Sequence, residues 1–505
     1  MASIISNKKA KTTHVNNYIG YTLPTSNTPV TRLSTPPDPQ TFFDTYIKVR
    51  RPVIFNTSST TTASSSQPKP WYHTFQKWSS NDYLKEVAGN ATVRVETRTA
   101  TGTAYGNGKY SEMTFSNFLD LQNSSTQHYL TTQNIEEDHE GRPAIMASPC
   151  IELANDFPLI PPLVGNLIPM NVNIWMGNGN RSRSNKNKSS SDSSGTKPPE
   201  PEQTSSGLHH DFHDNMYVLL RGRKRFRLFS PIDATKLYTH GTIENVHQNG
   251  RICYENQPTY ADGSTKEARS FMHVKEEMDA ATIELEAAEE SVDNNEPGSA
   301  ERLEKAEERM EIAMDISMEF EMMNGGNGGN GFSEEEEEEE EYDGELWHGL
   351  AMSDQKSSAG MKKTKDEHGD KQGEQDEQEE QDEQNKHDGS DVEKNTGNKD
   401  DAVVTEPTPQ HFSRIDMSLD PKELLQKWPL LKETTMTEIV LNVGDVLYLP
   451  AGWFHEVLSE TTEANNGHMA FNYWFHPPDG NSFKEPYTST FWKKDWKDRN
   501  DCRDT

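Results

Sequence analysis

An uninterrupted run of eight glutamates, residues 334–341, constrains the fold of this chain more than any other feature. It lies within 263–408, a stretch dominated by Glu, Gln, Asp and Lys. Like charges at this density repel one another, and too little apolar surface remains to build a packed core. We therefore interpret 263–408 as an acidic insertion, so any fold must join the sequence on either side of it.

Most of the acidity of the chain belongs to this insertion. The 505 residues include 82 acidic and 50 basic side chains, a net charge of -32, and only 31% are hydrophobic. Strong helix formers with recurrent Met, Ile and Leu predict a helical hairpin at 273–323, with "DNNEPG" as its turn. The rest of the insertion has the composition of a disordered tract.

Three other stretches have the composition of tails or loops. We expect an N-terminal tail at 1–30, a disordered Ser- and Pro-rich loop at 178–205 and a charged C-terminal tail at 495–505. The remaining sequence, 31–262 and 409–494, then forms one domain that the insertion splits.

The sequence pattern of this split domain predicts a mainly β fold. Short β-rich runs such as "TVRVET", "MNVNIWMG" and "TEIVLNVGDVLYLP" are bounded by Gly, Pro and Asp. Two flanking helices are predicted, in "DPQTFFDTYIKV" and "TFSNFLDLQ". Many short strands with turn signals between them predict a sandwich or barrel rather than a parallel α/β sheet.

Cysteine usage and hydropathy favour an intracellular protein. Cys150, Cys253 and Cys502 are widely separated and form no CxxC pair, which fits a reducing compartment. The N-terminus lacks the apolar segment of a signal peptide, and no run approaches the ~20 apolar residues of a membrane span. We expect a cytoplasmic protein, with the nucleus as a second location, and no association with membranes.

The segment "GLHHDFHDNMYVLLRGRKRFRLFSP", residues 207–231, concentrates metal-binding side chains. If 207–220 forms one strand, its period of two places His209, Asp211 and His213 on the same face. A His-x-Asp pair supplies two of the three ligands of a 2-His-1-carboxylate iron site, and His455 after "GDVLYLPAGWF" is the candidate third. His210 and His213 remain alternatives to His209, or ordinary surface or supporting histidines.

The basic run in the same segment has a simpler interpretation than a binding patch. A hairpin around "RGR" would return the chain, and alternation then points Lys224 inward with apolar neighbours. Arg223, Arg225 and Arg227 would face solvent. A nuclear signal or a nucleic-acid patch in "RGRKR" is the alternative, but alternation already explains the pattern, and nucleic-acid binding is not expected.

Several blocks, taken in order, resemble JmjC-type oxygenases that depend on Fe(II) and 2-oxoglutarate. The blocks are "PPDPQTFFDTYIKVRRPVIF", "MNVNIWMG", "HHDFHDNMYVLLRGRKRFRLFSP", "GDVLYLPAGWFHEV" and "FNYWF". The strongest resemblance is to the JmjC domain-containing protein 7 family of lysyl hydroxylases, and asparaginyl hydroxylases of the factor-inhibiting-HIF type are more distant. This resemblance implies a double-stranded β-helix, the jelly roll of the cupin-like superfamily.

The resemblance also implies roles for individual residues. His209, Asp211 and His455 would be the iron ligands, and Lys224 would pair with the distal carboxylate of 2-oxoglutarate. Trp474 would form a wall of the site. The remaining residues implied to surround the co-substrate are Asn215, Ser206, Tyr129 and Asn472.

The implied reaction consumes O2 and 2-oxoglutarate and hydroxylates a protein side chain, with lysine as the leading target. In the resembled family the substrates are developmentally regulated GTP-binding proteins. Demethylation of methyl-lysine and hydroxylation of a tRNA base are enzymatic alternatives. A third alternative is a silent cupin-like scaffold that binds basic partners through its acidic insertion, although an intact ligand set with Lys224 argues against it. The glutamate run is most simply a solvated spacer, and a homodimer is a further expectation.

Overall fold

Two β-sheets pack face to face and share one apolar interior. In the computed structural model, the described residues are 15–57, 71–98, 109–122, 124, 126–137, 142–178, 204–324, 408–460 and 467–501. The mainly β architecture expected from the sequence is confirmed, with helices packed outside the larger sheet.

Sixteen strands occur in the described part of the chain. In chain order they are β1 (Thr31–Leu33), β2 (Val53–Asn56), β3 (Thr92–Arg98), β4 (Lys109–Thr114), β5 (Gln127–Leu130), β6 (Pro169–Gly177), β7 (Thr204–Ser205), β8 (His209–His210), β9 (Asp214–Arg221), β10 (Arg223–Phe229), β11 (Ile243–Val246), β12 (Ile252–Tyr254), β13 (Met436–Asn442), β14 (Asp445–Leu449), β15 (Phe454–Glu460) and β16 (His468–Phe475).

The larger sheet has the order β1-β2-β14-β9-β16-β6-β5-β3-β4, and its pairs are antiparallel except β1 with β2. The smaller sheet has the order β13-β10-β15-β7, with β8 also paired to β15. Strands β11 and β12 form a separate antiparallel pair. Central strands therefore come from both sides of the acidic insertion, as a split domain requires.

The helices of the described residues lie around these sheets. They are α1 (Pro39–Phe42), α2 (Tyr72–Trp78), α3 (Asn81–Ala88), α4 (Phe115–Leu121), α5 (Lys266–Asp293), α6 (Ser299–Asn324), α7 (Pro421–Lys427) and α8 (Phe491–Asp501), together with a π-helical turn at Phe43–Ile47. None of them combines the length and the apolar character that crossing a membrane requires.

Alternation along β9 shows how the sequence builds two cores. Met216 and Val218 point toward the helices, where they join the larger apolar cluster. Tyr217 and Leu219 point toward the smaller sheet, and the Tyr217 ring meets Phe226 of β10 edge-on, with centroids 5.3 Å apart. Successive side chains of a strand face opposite sides, so one apolar run serves both layers.

The structure contradicts a single strand over 207–220. Strand β8 stops at His210, the chain bends at 211–213, and β9 begins in the other sheet. The bend holds because Phe212 is buried in an apolar cluster outside the two-sheet interior, and its carbonyl oxygen accepts a hydrogen bond from Arg251. A strand that changes sheets in this way forms a corner of the sandwich.

The expected hairpin around "RGR" is also wrong. Strand β9 pairs with β14 and β16, whereas β10 pairs with β13 and β15. Gly222 turns the chain from one sheet into the other with φ +79°, a left-handed conformation that favours glycine. The two strands consequently face each other across the interior instead of lying side by side.

The edges of the insertion are more ordered than its composition suggests. Helix α5 begins at Lys266 because its first turns pack on the domain through Ala268 and Met272, which lie in the larger core. Helix α6 ends at Asn324. The hairpin expected at 273–323 corresponds to these two helices, and the run of eight glutamates lies outside the described residues.

Two predicted tails are partly wrong. Residues 15–30 pack on the domain, and Tyr18 and Leu23 are buried. The charged residues 495–501 belong to α8, where buried Asp495 pairs with Arg499 one turn later. A helix with one buried face hides its charges in i, i+4 pairs that composition does not reveal.

The predicted loop 178–205 is only partly described. Asn178 is buried and Thr204–Ser205 forms β7, while 179–203 lies outside the described residues.

Candidate metal centre

Three side chains from separate strands and a bend converge at one end of the interior. His209 of β8 lies directly opposite His455 of β15, and Asp211 follows in the bend. One ligand atom from each of the three lies within 4.8 Å of the other two. His455 is buried, while His209 and Asp211 are half-buried, so the group sits at an opening of the interior.

Backbone carbonyls fix the tautomers of both histidines. The Nδ1 atom of His209 lies 3.0 Å from the carbonyl oxygen of Gly207, and Nδ1 of His455 lies 3.0 Å from that of Trp453. In each pair the ring must donate, since a carbonyl oxygen can only accept. Both Nε2 atoms therefore keep their lone pairs for a metal, and Nε2 of His455 lies 3.8 Å from Oδ2 of Asp211.

Two side-chain donors orient the Asp211 carboxylate. Asn215 donates from Nδ2 to Oδ2 at 3.0 Å, and Trp474 donates from Nε1 to the same oxygen at 3.2 Å. Asn215 in turn accepts from Asn472, whose own oxygen accepts from Trp175 at 2.7 Å. This chain of hydrogen bonds holds the carboxylate toward the two histidines, as outer partners of metal ligands do.

The protonation states suit metal binding at neutral pH. Burial lowers the pKa of His209 to about 3, with a further lowering by neighbouring His455 that Asp211 only partly offsets. Burial alone would raise the pKa of Asp211, but His455, His209 and the hydrogen bond from Asn215 together lower it. The site therefore offers a neutral imidazole and an ionised carboxylate, which are the forms that bind metals.

Lys224 is buried in the same interior. Only 1% of the residue is exposed, and its Nζ donates to Oγ of Ser459 at 2.6 Å across the β10–β15 pair. The Tyr129 ring centroid lies 6.0 Å from the same ammonium. A cation this deeply buried is costly unless negative charge compensates it. A dicarboxylate co-substrate would supply that charge.

The sequence missed three neighbours of the site. Ser459 is an ordinary serine on a distant strand, so only the register of β10 against β15 reveals it. Phe412 stacks on the His209 ring with centroids 4.9 Å apart. Trp175 lies beside Trp474, and the alternation of "MNVNIWMG" could have placed it on the inner face. Phe412 shows that the chain returning from the acidic insertion forms a wall of the metal centre.

The expected role of Ser206 beside the co-substrate stays a prediction. Its hydroxyl donates to the carbonyl oxygen of Gly207 at 2.8 Å and accepts from the amide of Val457 at 2.9 Å. These contacts join the β7–β8 segment to β15. Ser459 contributes a hydroxyl that contacts Lys224.

His210 and His213 lie outside the ligand group. Nε2 of His210 lies 2.8 Å from the hydroxyl of Tyr254, in the apolar cluster that also contains Phe212. His213 packs against His476, with ring centroids 5.6 Å apart. Both are buried, so their interpretation as surface histidines is wrong.

The outward arginines of β10 are paired with acids. Arg223 contacts Glu460 at 2.9 Å, Arg225 contacts the same glutamate at 2.8 Å, and Arg227 contacts Glu456 at 2.8 Å. The sequence predicts that these arginines face solvent; they lie on the outer face, but each is paired with an acidic side chain. The pairing neutralises this face, which disfavours a nucleic-acid patch because phosphate binding needs uncompensated positive charge.

Comparison with known proteins agrees with this geometry. Residues 39–481 match the family model of the cupin-like domain. The chain belongs to the cupin-like domain family. It is also 29% identical over 492 residues to JmjC domain-containing protein 4 of Schizosaccharomyces pombe, covering 89% of this chain and 85% of that relative. The match to the cupin-like family and the similarity to a JmjC protein indicate an oxygenase of the Fe(II)- and 2-oxoglutarate-dependent type.

The residues present fit these two groups. Two imidazoles and one carboxylate form the donor set that non-haem Fe(II) takes in oxygenases of this type, and Lys224 with Ser459 suits one carboxylate of a dicarboxylate. When bound, the metal and co-substrate supply the oxygen-activating chemistry. The chain itself would supply three ligands oriented by hydrogen bonds and the buried ammonium of Lys224.

Proposed function

We propose that this cupin-like protein hydroxylates a side chain of another protein, with lysine as the target residue. The observation that carries the proposal is the His209, Asp211 and His455 group beside buried Lys224. A silent scaffold has no need to keep all four. Each is costly to bury without its partner, and each is oriented by its own hydrogen bonds.

Each residue would contribute a separate task. His209, Asp211 and His455 would hold Fe(II) on one side, leaving positions open for 2-oxoglutarate and O2. Lys224 would bind the distal carboxylate of 2-oxoglutarate, with Ser459 fixing the direction of the ammonium. Asn215, Trp474 and Asn472 would keep the Asp211 carboxylate aimed at the metal.

Charge supports a basic target. The net charge of the chain is -32, and such a field raises the local concentration of cationic segments without specifying a sequence. Lysine-bearing segments of developmentally regulated GTP-binding proteins are the first substrates to test, since the sequence resembles a lysyl hydroxylase family. The proposal that lysine is the target does not depend on the assignment of the metal ligands, so an experiment can overturn the first and leave the second in place.

The test is a coupled measurement of co-substrate and substrate. The full chain would be incubated anaerobically with Fe(II), 2-oxoglutarate and a panel of lysine peptides, and air would then be admitted. Succinate reports oxygenase turnover, and peptide mass reports the product. A gain of about 16 Da supports hydroxylation, whereas a loss of about 14 Da from methylated peptides would replace it with demethylation.

Two controls test the oxygenase assignment separately from the choice of lysine as the target. Asp211→Ala should form no succinate above the metal-free background. Succinate formation by the wild type without modification of any lysine peptide would retain the oxygenase assignment and overturn lysine as the target. Equal turnover in wild type and Asp211→Ala would overturn the oxygenase mechanism at this site.

A further inference from the structure

The helical hairpin of α5 and α6 leaves some large apolar side chains of α6 outside the interface between the two helices. Over much of their length the buried residues of the two helices are small, chiefly Ala281, Ala288, Ala306 and Ala313. Alanines let the helices approach closely there. By contrast, Met314 and Met318 of α6 are exposed by about half, at 51% and 48%.

These exposed side chains form a groove of defined chemistry. Its volume is about 390 Å³. Met310, Met314 and Met318 recur every four residues and form its floor, which places them on one face of α6 over roughly 12 Å. Leu285 of α5 supplies the opposite wall. The remaining lining residues are acidic: Glu307, Glu311 and Asp315.

The charged residues that line the groove are all acidic. From 310 to 324, α6 contains five methionines, four acidic residues and no basic residue. The nearest arginine, Arg309, contacts Glu284 and Glu277 of α5. An apolar stripe between carboxylates complements a helix with one apolar face and lysines or arginines beside it. Methionine suits such a partner because its flexible side chain adapts to different shapes.

The hairpin is anchored to the oxygenase domain at its base. Arg269 contacts buried Asp262 at 2.8 Å, and the Asp262 carbonyl oxygen accepts a hydrogen bond from Trp492 of α8. Lys494 of α8 contacts Glu276 of α5, and Phe271 lies against Phe320 of α6. A helix bound in the groove would thus be attached to the domain through packed side chains rather than through a loose linker.

We propose that the groove between α5 and α6, floored by Met310, Met314 and Met318, binds a basic amphipathic helix of a partner protein. The binding would deliver partners to the oxygenase without using any residue of the metal centre. The proposal does not depend on iron, on 2-oxoglutarate or on the nature of the hydroxylated residue.

The experiment measures binding of a synthetic helix to the full chain. The probe is a fluorescein-labelled 18-residue peptide of leucine and lysine with one apolar face, followed by fluorescence anisotropy at 0.15 M salt. A second peptide keeps every leucine and replaces every lysine by glutamate. We expect the lysine peptide to bind saturably and the glutamate peptide not to bind. Binding of the lysine peptide should be weaker in 0.5 M salt, because charge contributes to its affinity.

Matched variants separate the groove from the acidity of the chain. In one, Met314→Ser and Met318→Ser remove the floor; in the other, Met322→Ser and Met323→Ser alter exposed methionines of α6 beyond the groove lining. All charges are the same in both. The first pair should weaken binding about tenfold or more, since the partner helix would lose the apolar surface of two methionines, and the second pair less than about twofold. Circular dichroism would verify that both keep the helical content of the wild type.

Three outcomes would overturn the proposal. Equal affinity in the two variant pairs would assign binding to charge alone. Self-association of the full chain that Met314→Ser with Met318→Ser abolishes would make a second copy the occupant. Binding that appears only after deletion of the apolar segment "GELWHGLAM", residues 344–352, would make the occupant part of this chain.

Discussion

The ammonium of Lys224 lies 2.6 Å from the hydroxyl of Ser459, in a pair directly opposed across β10 and β15. The same two strands carry the metal end of the site, because Leu228 of β10 lies opposite His455. Ser459 and His455 are four residues apart on β15, so the strand period places their side chains on the same face.

Replacement of Lys224 should weaken co-substrate binding and spare the metal. Lys224→Met removes a charge-assisted hydrogen bond worth about 1.5–3 kcal/mol, so the KM for 2-oxoglutarate should rise roughly 10- to 150-fold. Arg225→Met on the outer face of the same strand is the matched control and should leave that KM unchanged. Succinate formation against 2-oxoglutarate concentration measures both, and an unchanged KM in Lys224→Met would remove this lysine from the co-substrate site.

Loss of an Asp211 partner should reduce metal affinity in a graded way. Asn215→Ala removes a direct donor to the carboxylate, so the Fe(II) affinity should fall about 10- to 100-fold. Asn472→Ala acts one hydrogen bond further away and should have the smaller effect. Anaerobic titration against a metal-sensitive dye gives the two affinities. A larger loss in Asn472→Ala than in Asn215→Ala would contradict this hydrogen-bond order.

The buried ion pair of Arg50 and Asp214 should be essential for stability. Asp214 accepts hydrogen bonds from Arg50 at 2.8 Å, the Tyr448 hydroxyl at 2.6 Å and the Ala451 amide at 3.0 Å, which joins the bend after Asp211 to the turn before His455. Asp214→Ala leaves a buried guanidinium uncompensated and should lower the free energy of unfolding by about 3–5 kcal/mol.

Urea denaturation of the full chain checks this value. The comparison variant is Glu301→Ala, whose partner Lys305 is 70% exposed, and it should not shift the unfolding midpoint measurably. Equal midpoints for Asp214→Ala and wild type would show that the Arg50 pair does not hold the two turns together.

Cys253 should react with small thiol reagents near neutral pH faster than Cys150, although both thiols are buried. Burial alone would raise the pKa of its thiol, but a hydrogen bond from His247, the charge of Arg251 and a hydrogen bond from Thr259 lower it to about 7. The thiolate is the reactive form, so the methyl methanethiosulfonate reaction rate should rise through pH 7 and level off above pH 8. Cys150 is the internal control: burial raises the pKa of its thiol, and it should stay unmodified. Peptide mapping after timed labelling measures both, and equal labelling would contradict the difference.

Local periodicity was sufficient to indicate much of this site. The His-x-Asp spacing placed His209 and Asp211 within reach of one metal, and alternation placed Lys224 inside and its arginine neighbours outside. The pattern around Lys224 depends only on the two-residue period of a strand, which the sequence shows directly. Asp211 lies in the bend at 211–213, so strand alternation does not explain its closeness to His209.

What the sequence could not show depends on register between distant strands. Ser459 faces Lys224 only because β15 aligns with β10 in one particular register, and serine has no distinctive sequence pattern. The change of sheet after His210 depends on the burial of Phe212, and the order of α8 depends on hidden charges such as Asp495. Each is a tertiary contact, and composition predicted a longer strand and a charged tail instead.

Adjacent histidines provide the most direct test of the metal centre. Anaerobic Fe(II) titration would compare His209→Ala with His210→Ala, one position along β8, with circular dichroism to verify folding. We predict that wild type and His210→Ala bind one Fe(II) per chain and form succinate, whereas His209→Ala loses roughly 100-fold or more in affinity and forms none. Wild-type Fe(II) affinity in folded His209→Ala, or its loss in folded His210→Ala, would contradict the assignment of His209, Asp211 and His455 as the metal ligands.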